Sequence, residues 1–179
     1  VRIISLPKNY CAVADIFIDG NYQWEYSVQG VYVEGNNNTI TGNTCNNGGD
    51  GIYVGGSNNT TTGNTCNNNY INGIYVRGSN NTITGNTCNN NSDGISLYSS
   101  SSTVTGNTCN NNIDGISLYS SSSTVTGNTC NNNYADGIYV GGSNNTITGN
   151  ACNNNDDSGI FLASSSNNTV TGNTCIRGT

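Results

Sequence analysis

The stretch "DGISLYSSSSTVTGNTCNNN" occupies residues 93–112 and returns without a change at residues 114–133. Within one copy the apolar residues alternate. Ile95 and Leu97 point one way, Thr103 and Thr105 flank Val104, and Cys109 follows a Gly-Asn bend. Alternation with period two marks half-buried β-strands, and nothing in the stretch has helical spacing. Looser copies extend on both sides. Cys45, Cys66, Cys88, Cys109, Cys130, Cys152 and Cys175 follow one another at intervals of 21, 22, 21, 21, 22 and 23 residues. Gly30, Gly51, Gly73, Gly94, Gly115, Gly137 and Gly159 keep the same beat.

A fixed period of this size means a repeat architecture. Each period supplies three short strands and about four inward side chains, such as Ile74, Val76, Ile83 and Cys88 in one copy and Ile95, Leu97, Val104 and Cys109 in the next. Each buried side chain contributes about 1.5–3 kcal/mol before entropy is counted, so no coil stands alone and stacking is obligatory. Leucine-rich repeats have a similar period but need Leu-rich helical segments, which are missing. The expectation is an all-β parallel β-helix, a solenoid of about seven coils of 21–23 residues with three short strands per coil. Residues 1–29, richer in aromatic and aliphatic side chains, read as an irregular first coil or cap around Ile16, Ile18 and Trp24; residues 30–179 read as the repeat domain.

Composition narrows the function. The chain has 179 residues, 8% of them charged, with a net charge of −6. Arg2, Lys8, Arg77 and Arg177 cannot form a basic patch, which excludes a nucleic-acid partner. There is no apolar run long enough for a transmembrane segment. A first residue of Val rather than Met suggests a processed, secreted chain and an extracellular or cell-surface location. Sequons at Asn37, Asn58, Asn59, Asn80, Asn90, Asn144 and Asn167 would carry glycans there. No cofactor is expected.

The phrase "GIYV…SNNTITGNT" resembles the parallel β-helix repeats of pectate-lyase-like and NosD-like proteins, common on archaeal cell surfaces, over roughly residues 30–175. That resemblance implies a right-handed coil and an inward Asn ladder at the bend. The matching positions are Asn43, Asn64, Asn86, Asn107, Asn128, Asn150 and Asn173. In character the chain also resembles amyloid-like subunits of archaeal cell sheaths.

In a stacked coil every repeated residue becomes a vertical file. The Cys file (Cys45, Cys66, Cys88, Cys109, Cys130 and Cys152) reads as buried thiols packing as small hydrophobes. Cys11 and Cys175 are the better candidates for a disulfide, within or between chains. A T-x-T pair occurs in every rung: Thr39/Thr41, Thr60/Thr62, Thr82/Thr84, Thr103/Thr105, Thr124/Thr126, Thr146/Thr148 and Thr169/Thr171. Such an array, flat and outward, resembles the threonine faces of β-solenoid antifreeze proteins; it is also what a soluble outward strand face looks like. Acids precede the Gly turn at Asp50, Asp93, Asp114 and Asp136, interrupted by Asn72 and Ser158. Asp-Gly is a turn pair. No metal site is expected; Asp93 and Asp114 are the carboxylates that a calcium ion would use. Outward aromatics run through Tyr32, Tyr53, Tyr75, Tyr139 and Phe161, with Ser96 and Ser117 breaking the file.

The residues argue against catalysis. His is absent, Arg77 is the only basic residue between Lys8 and Arg177, and the carboxylates form a regular file rather than an acid and a base in unlike surroundings. The expectation is therefore a non-enzymatic structural protein. Its terminal rungs would pair head to tail with further copies of itself, building a filament, hoop or sheath-like layer with Cys11 and Cys175 as staples. The alternative is an ice-binding protein acting through the T-x-T array, and a third reading is a carbohydrate-binding or adhesive module.

Overall fold

A computed structural model describes residues 2–20, 28–98 and 100–177. The chain winds as a right-handed parallel β-solenoid, with no helix among the described residues. Its first sheet stacks eight strands: Arg2–Leu6, Gln29–Val33, Ile52–Val54, Asn72–Val76, Asp93–Leu97, Asp114–Leu118, Ile138–Val140 and Ile160–Leu162. The second sheet stacks Ala12–Ala14 and the seven T-x-T strands, from Thr39–Thr41 to Thr169–Thr171. All pairings are parallel, and the inward files of the first sheet set aliphatic on aliphatic: Ile95 pairs with Ile74 above and Ile116 below.

The third strand of each coil is shorter than expected. Only Phe17–Asp19 and Thr44–Asn46 form a regular pair. Below them the file continues as single bridges from Thr44↔Thr65 to Ala151↔Thr174.

Inside the coil, the inward side chains expected from the alternation are buried. Ile74, Val76, Ile83 and Cys88 are all 0% exposed, as are Ile95, Leu97, Val104 and Cys109. Thr61 takes an Ile position in the file between Ile40 and Ile83 and is buried with them. Residues 2–19 run as strands in register with the coil below, and Val13 and Ile18 join the core. Ile16, two positions before Ile18, lies level with Asn43 of the bend rather than with the cysteine file; it is partly exposed, and its N–H donates to Asn43 Oδ1 at 3.2 Å. Trp24 lies outside the described residues.

The recurrent Asn triplet has three separate jobs. In "NNN" at 110–112, the Asn110 side chain accepts from the backbone N–H of Asn131 at 2.8 Å. Asn111 takes the left-handed conformation (φ 57°), which Asn tolerates better than most residues. Asn112 turns inward, accepts from the Asn91 N–H at 2.9 Å and donates to the Cys88 carbonyl at 3.0 Å. The outer file accepts from the rung below and the inner file from the rung above, so the two tie neighbouring coils from both sides.

The Asn ladder at the Gly-Asn bend is present as the resemblance implied. Asn107 Oδ1 accepts both the N–H and the side-chain amide of Asn86 at 2.9 Å, and its own amide donates to the Ile83 carbonyl at 3.0 Å. Two further buried ladders escaped the sequence reading. One follows the cysteines through Asn69, Asn91, Asn112, Asn133 and Asn155. The other begins Asn38, Asn59, Asn81, passes through Ser102 and Ser123, and resumes at Asn145. Their signal was available: each is the residue that follows a left-handed position in the repeat.

Candidate functional site

The outward side of the first sheet carries the chemistry. Alternation along Asp93–Leu97 sends Ile95 and Leu97 inward and Ser96 outward. At Gly94 a Cβ would meet the Gly115 carbonyl oxygen at 2.5 Å and the Cys109 Cβ at 2.8 Å. Only glycine lets the coil draw in this tightly at the turn, and the acid before it is left facing Ser96 and Ser117.

The aromatic file is continuous, contrary to the sequence expectation of a break at Ser96 and Ser117. Seven rings run Tyr32, Tyr53, Tyr75, Tyr98, Tyr119, Tyr139, Phe161. Successive centroids are 4.6, 5.5, 5.5, 4.6, 5.3 and 5.8 Å apart. Tyr98 and Tyr119 come from a different position, one residue beyond Leu97 and Leu118, and lay their rings across the two serine rungs. Ser96 and Ser117 are consequently buried, while Tyr98 and Tyr119 remain 52% and 42% exposed, the most open tyrosines of the ladder. Sequence reading missed them because it followed one strand parity; the signal was a Tyr appearing only in the two rungs whose outward residue is Ser.

The position used by Tyr98 and Tyr119 is occupied one rung earlier by Arg77. Its guanidinium hydrogen-bonds Tyr53 and lies beside Tyr75. At the start of the ladder Arg2 sits 3.3 Å from the Tyr32 ring centroid, and the Tyr32 hydroxyl donates to Glu34.

The acid file lies alongside. Asp93 and Asp114 are register partners. Their environments differ, which the sequence could not show. Asp114 accepts the backbone N–H of Asp136 at 2.9 Å, and Asp136 accepts that of Ser158 at 3.0 Å. Asp93 lacks the equivalent donor, because the Asp114 N–H is spent on the Ser92 carbonyl at 3.2 Å. Burial pushes the Asp93 carboxyl up to about 6, against hydrogen bonds from Ser117 and Ser96. Burial also raises Asp114, but the Asp136 N–H opposes it. Tyr119 is pushed up to about 12, by burial first and then by Tyr98 and Asp93, so its phenol stays neutral. No cluster of three or more His, Cys, Asp or Glu is placed to hold a metal ion among the described residues.

The fourteen T-x-T threonines share the outward face of the second sheet. Their exposure varies along the array. Thr126 and Thr148 are half-buried, as are Thr41, Thr62, Thr84 and Thr105 above them in the same column, whereas Thr171 in the last rung is exposed. The rungs above and below wall each side chain in, and the last rung has a neighbour on one side only. The Thr126 and Thr148 carbonyls also accept the side-chain amides of Asn128 and Asn150, each at 3.2 Å. The backbone of this column is thus tied to the Asn ladder, because the Gly-Asn bend that follows folds the amide back two residues.

The other sequence candidates lie elsewhere. Cys45 through Cys152 line the core, and burial drives thiols such as Cys88 well above the usual range. All eight cysteines are free. Cys11 belongs to the first coil, where its N–H bonds Asn38, and Cys175 to the last, so the two lie at opposite ends of the stack and cannot bridge within one molecule. Of the sequons, Asn37, Asn58, Asn80, Asn90, Asn144 and Asn167 are exposed turn residues, whereas Asn59 is buried in a ladder. No helix among the described residues is long and apolar enough to cross a membrane.

Comparison with known proteins agrees with this architecture. The family model "right handed beta helix region" matches residues 9–142 and 110–179. No curated protein matches the chain. Among solved structures, the periplasmic alginate epimerase AlgG superposes with a TM-score of 0.72 at 18% identity, covering 93% of this chain and 45% of that one. The enzymatically active domain of bacteriophage CBA120 tailspike protein 2 superposes with a TM-score of 0.70 at 16% identity, covering 96% of this chain and 34% of that one. The chain thus spans less than half the length of either. These matches carry the parallel β-helix part of the resemblance and not the sheath-subunit part. They also overturn the expectation of a non-enzyme: this coil superposes on an epimerase and on an enzymatically active tailspike domain, so the fold itself is no bar to catalysis. The unlike surroundings of Asp93 and Asp114 remove one of its grounds, the regular carboxylate file.

Proposed function

Because the chain belongs to the right-handed β-helix family, we propose that it is a secreted carbohydrate-binding protein that holds an extended polysaccharide along the tyrosine face of its first sheet, with Asp93, Asp114 and Arg77 as the groups available to act on it. The observation that carries this reading is the unbroken ring ladder. Two tyrosines are recruited from a second position solely where the first position offers serine.

The ladder suits a linear polymer. Its rings follow the solenoid axis at sub-nanometre steps, and the tilted pairs expose ring edges and part of their faces. Sugar C–H groups pack on aromatic carbon while phenols and carboxylates satisfy the hydroxyls, an arrangement usual in ligand sites. Beside Tyr98 and Tyr119 lies a carboxyl that holds its proton into the mildly acidic range and a second whose rise on burial is opposed by a backbone N–H. Such a pair can donate and accept a proton at one bound sugar linkage. Arg77, one rung away on the same side, supplies positive charge for a developing anion.

Affinity electrophoresis against neutral, anionic and amine-bearing polysaccharides tests the reading. At least one gel should retard the protein, and Tyr98→Ala with Tyr119→Ala should abolish the retardation while leaving the β-sheet circular dichroism unchanged. Free migration in every gel, or equal retardation of the variant, would refute it.

A further inference from the structure

We propose that the second sheet carries a separate binding face whose ligand is ice, held by the two columns of threonine. The argument starts from where the repeat tolerates length changes. The cysteine always falls four positions after the second threonine, from Thr41 and Cys45 to Thr171 and Cys175. The first threonine falls nine positions after the rung's glycine in six rungs and ten in the last. The step from cysteine to the next glycine varies between six and seven. Extra residues therefore enter almost entirely at the turn before the first sheet, and the threonine face keeps its register.

That register is one to one throughout. Thr82 pairs with Thr60 and Thr103, Thr84 with Thr62 and Thr105, Thr126 with Thr105 and Thr148, and the same holds down to Thr169 and Thr171. Strand geometry sets the rungs about 4.8 Å apart and the two columns about 7 Å apart. Both lengths lie close to oxygen repeats on the prism faces of ordinary ice. Other outward files vary, from Tyr to Ser to Phe or from Asp to Asn to Ser, whereas this one holds fourteen threonines and no charge.

The hydroxyls are available. Side-chain oxygens of the Asn files and of Ser57, Ser102 and Ser123 accept from neighbouring rungs. None of the fourteen threonine hydroxyls has a protein hydrogen-bond partner among the described residues; at Thr126 and Thr148 it is the carbonyl, not the hydroxyl, that the Asn amides engage. Each hydroxyl must bond water, and the methyl beside it limits where that water sits. Beneath the face Ile83, Val104, Val125 and Ile147 are fully buried, so the platform is stiff. A rigid, evenly spaced set of donors and acceptors orders water without first having to order itself, which is how preorganisation favours binding.

The test is ice-growth arrest and crystal shaping by the intact chain, measured by nanolitre osmometry, together with ice-recrystallisation inhibition. Wild type should shape crystals and hold their growth at sub-millimolar concentration. Thr84→Tyr with Thr105→Tyr should lower activity at least tenfold, and Thr105→Lys, a second variant with independent folding risk, should do the same. Tyr134→Ala, at an exposed turn outside both binding faces, should be as active as wild type. A wild type that neither shapes ice nor slows recrystallisation at millimolar concentration overturns the proposal, as do threonine variants of undiminished activity with intact circular dichroism.

Discussion

Tyr98 stacks on Tyr119 with ring centroids 4.6 Å apart and planes 19° from parallel, although neither residue occupies the strand position from which Tyr75 and Tyr139 send their rings. The ladder is therefore maintained by substitution between positions. Each ring contact of this kind contributes about 0.5–1.5 kcal/mol beyond burial. Tyr98→Ala breaks two contacts and uncovers Ser96, and should lower unfolding free energy by about 1–3 kcal/mol. Tyr98→Phe should cost well under half of that. Urea titrations of both variants check the difference.

Asp93 makes stability depend on pH in a stated direction. Its folded value, about 6, lies above the unfolded value of 3.8, so between these pH values the native state binds more protons than the unfolded chain. The Asp93 contribution to stability is greatest below pH 4, falls as pH rises toward 6 and is flat beyond. Asp93→Asn removes the penalty and should gain roughly 3 kcal/mol over wild type at pH 7 and well under about 1 kcal/mol at pH 4. Denaturation midpoints at the two pH values measure this. An equal effect at both would mean that Asp93 is not held in a desolvating site.

If the acid pair acts on a bound polysaccharide, any turnover should respond to the same group. Asp93→Asn should abolish turnover while leaving retention on the polysaccharide gel in place, because the Tyr98 and Tyr119 rings remain. Wild-type activity should decline as pH rises through about 6, where Asp93 loses its proton. A rate that climbs through that range would assign the proton donor elsewhere.

Asn107 holds two coils together from inside. Asn107→Ala leaves the Asn86 N–H without its acceptor in a dry core and takes the side-chain donor from the Ile83 carbonyl, at a cost of about 2 kcal/mol or more. Asn111→Gly, at the exposed left-handed position beside it, should shift stability by less than about 0.5 kcal/mol. Chemical denaturation of the pair separates the ladder's role from the turn's.

Thiol accessibility should divide the cysteines. In native protein iodoacetamide should modify Cys175 and, more slowly, Cys11, while the six core thiols react only after unfolding. Peptide mass spectrometry reads the sites directly. Rapid labelling of Cys88 or Cys109 in the native state would contradict the buried file.

The identical stretches at 93–112 and 114–133 determined the solenoid without help from the coordinates, because a repeat whose apolar residues alternate has nowhere to bury them except against its own copies. The same reasoning located Ile95, Leu97, Val104 and Cys109 in the core and the T-x-T pairs outside. It did not foresee how far the stack would wall in Thr126 and Thr148, since that depends on the rungs to either side. What it could not decide was anything that joins residues of different parity or different rungs. Tyr98 lies beside Tyr75 only because a side chain one residue past Leu97 can swing back over Ser96, a matter of rotamer and packing. Likewise Asp93 and Asp114 are the same letter in an identical phrase, yet one faces a backbone N–H and the other does not. Each rung's surroundings are set by the rung that follows it, and the twenty-two-residue step after Asp114 aims the Asp136 N–H where the twenty-one-residue step after Asp93 does not. Periodicity specifies the stack; the small departures from it, resolved only in three dimensions, distinguish one carboxylate from the next.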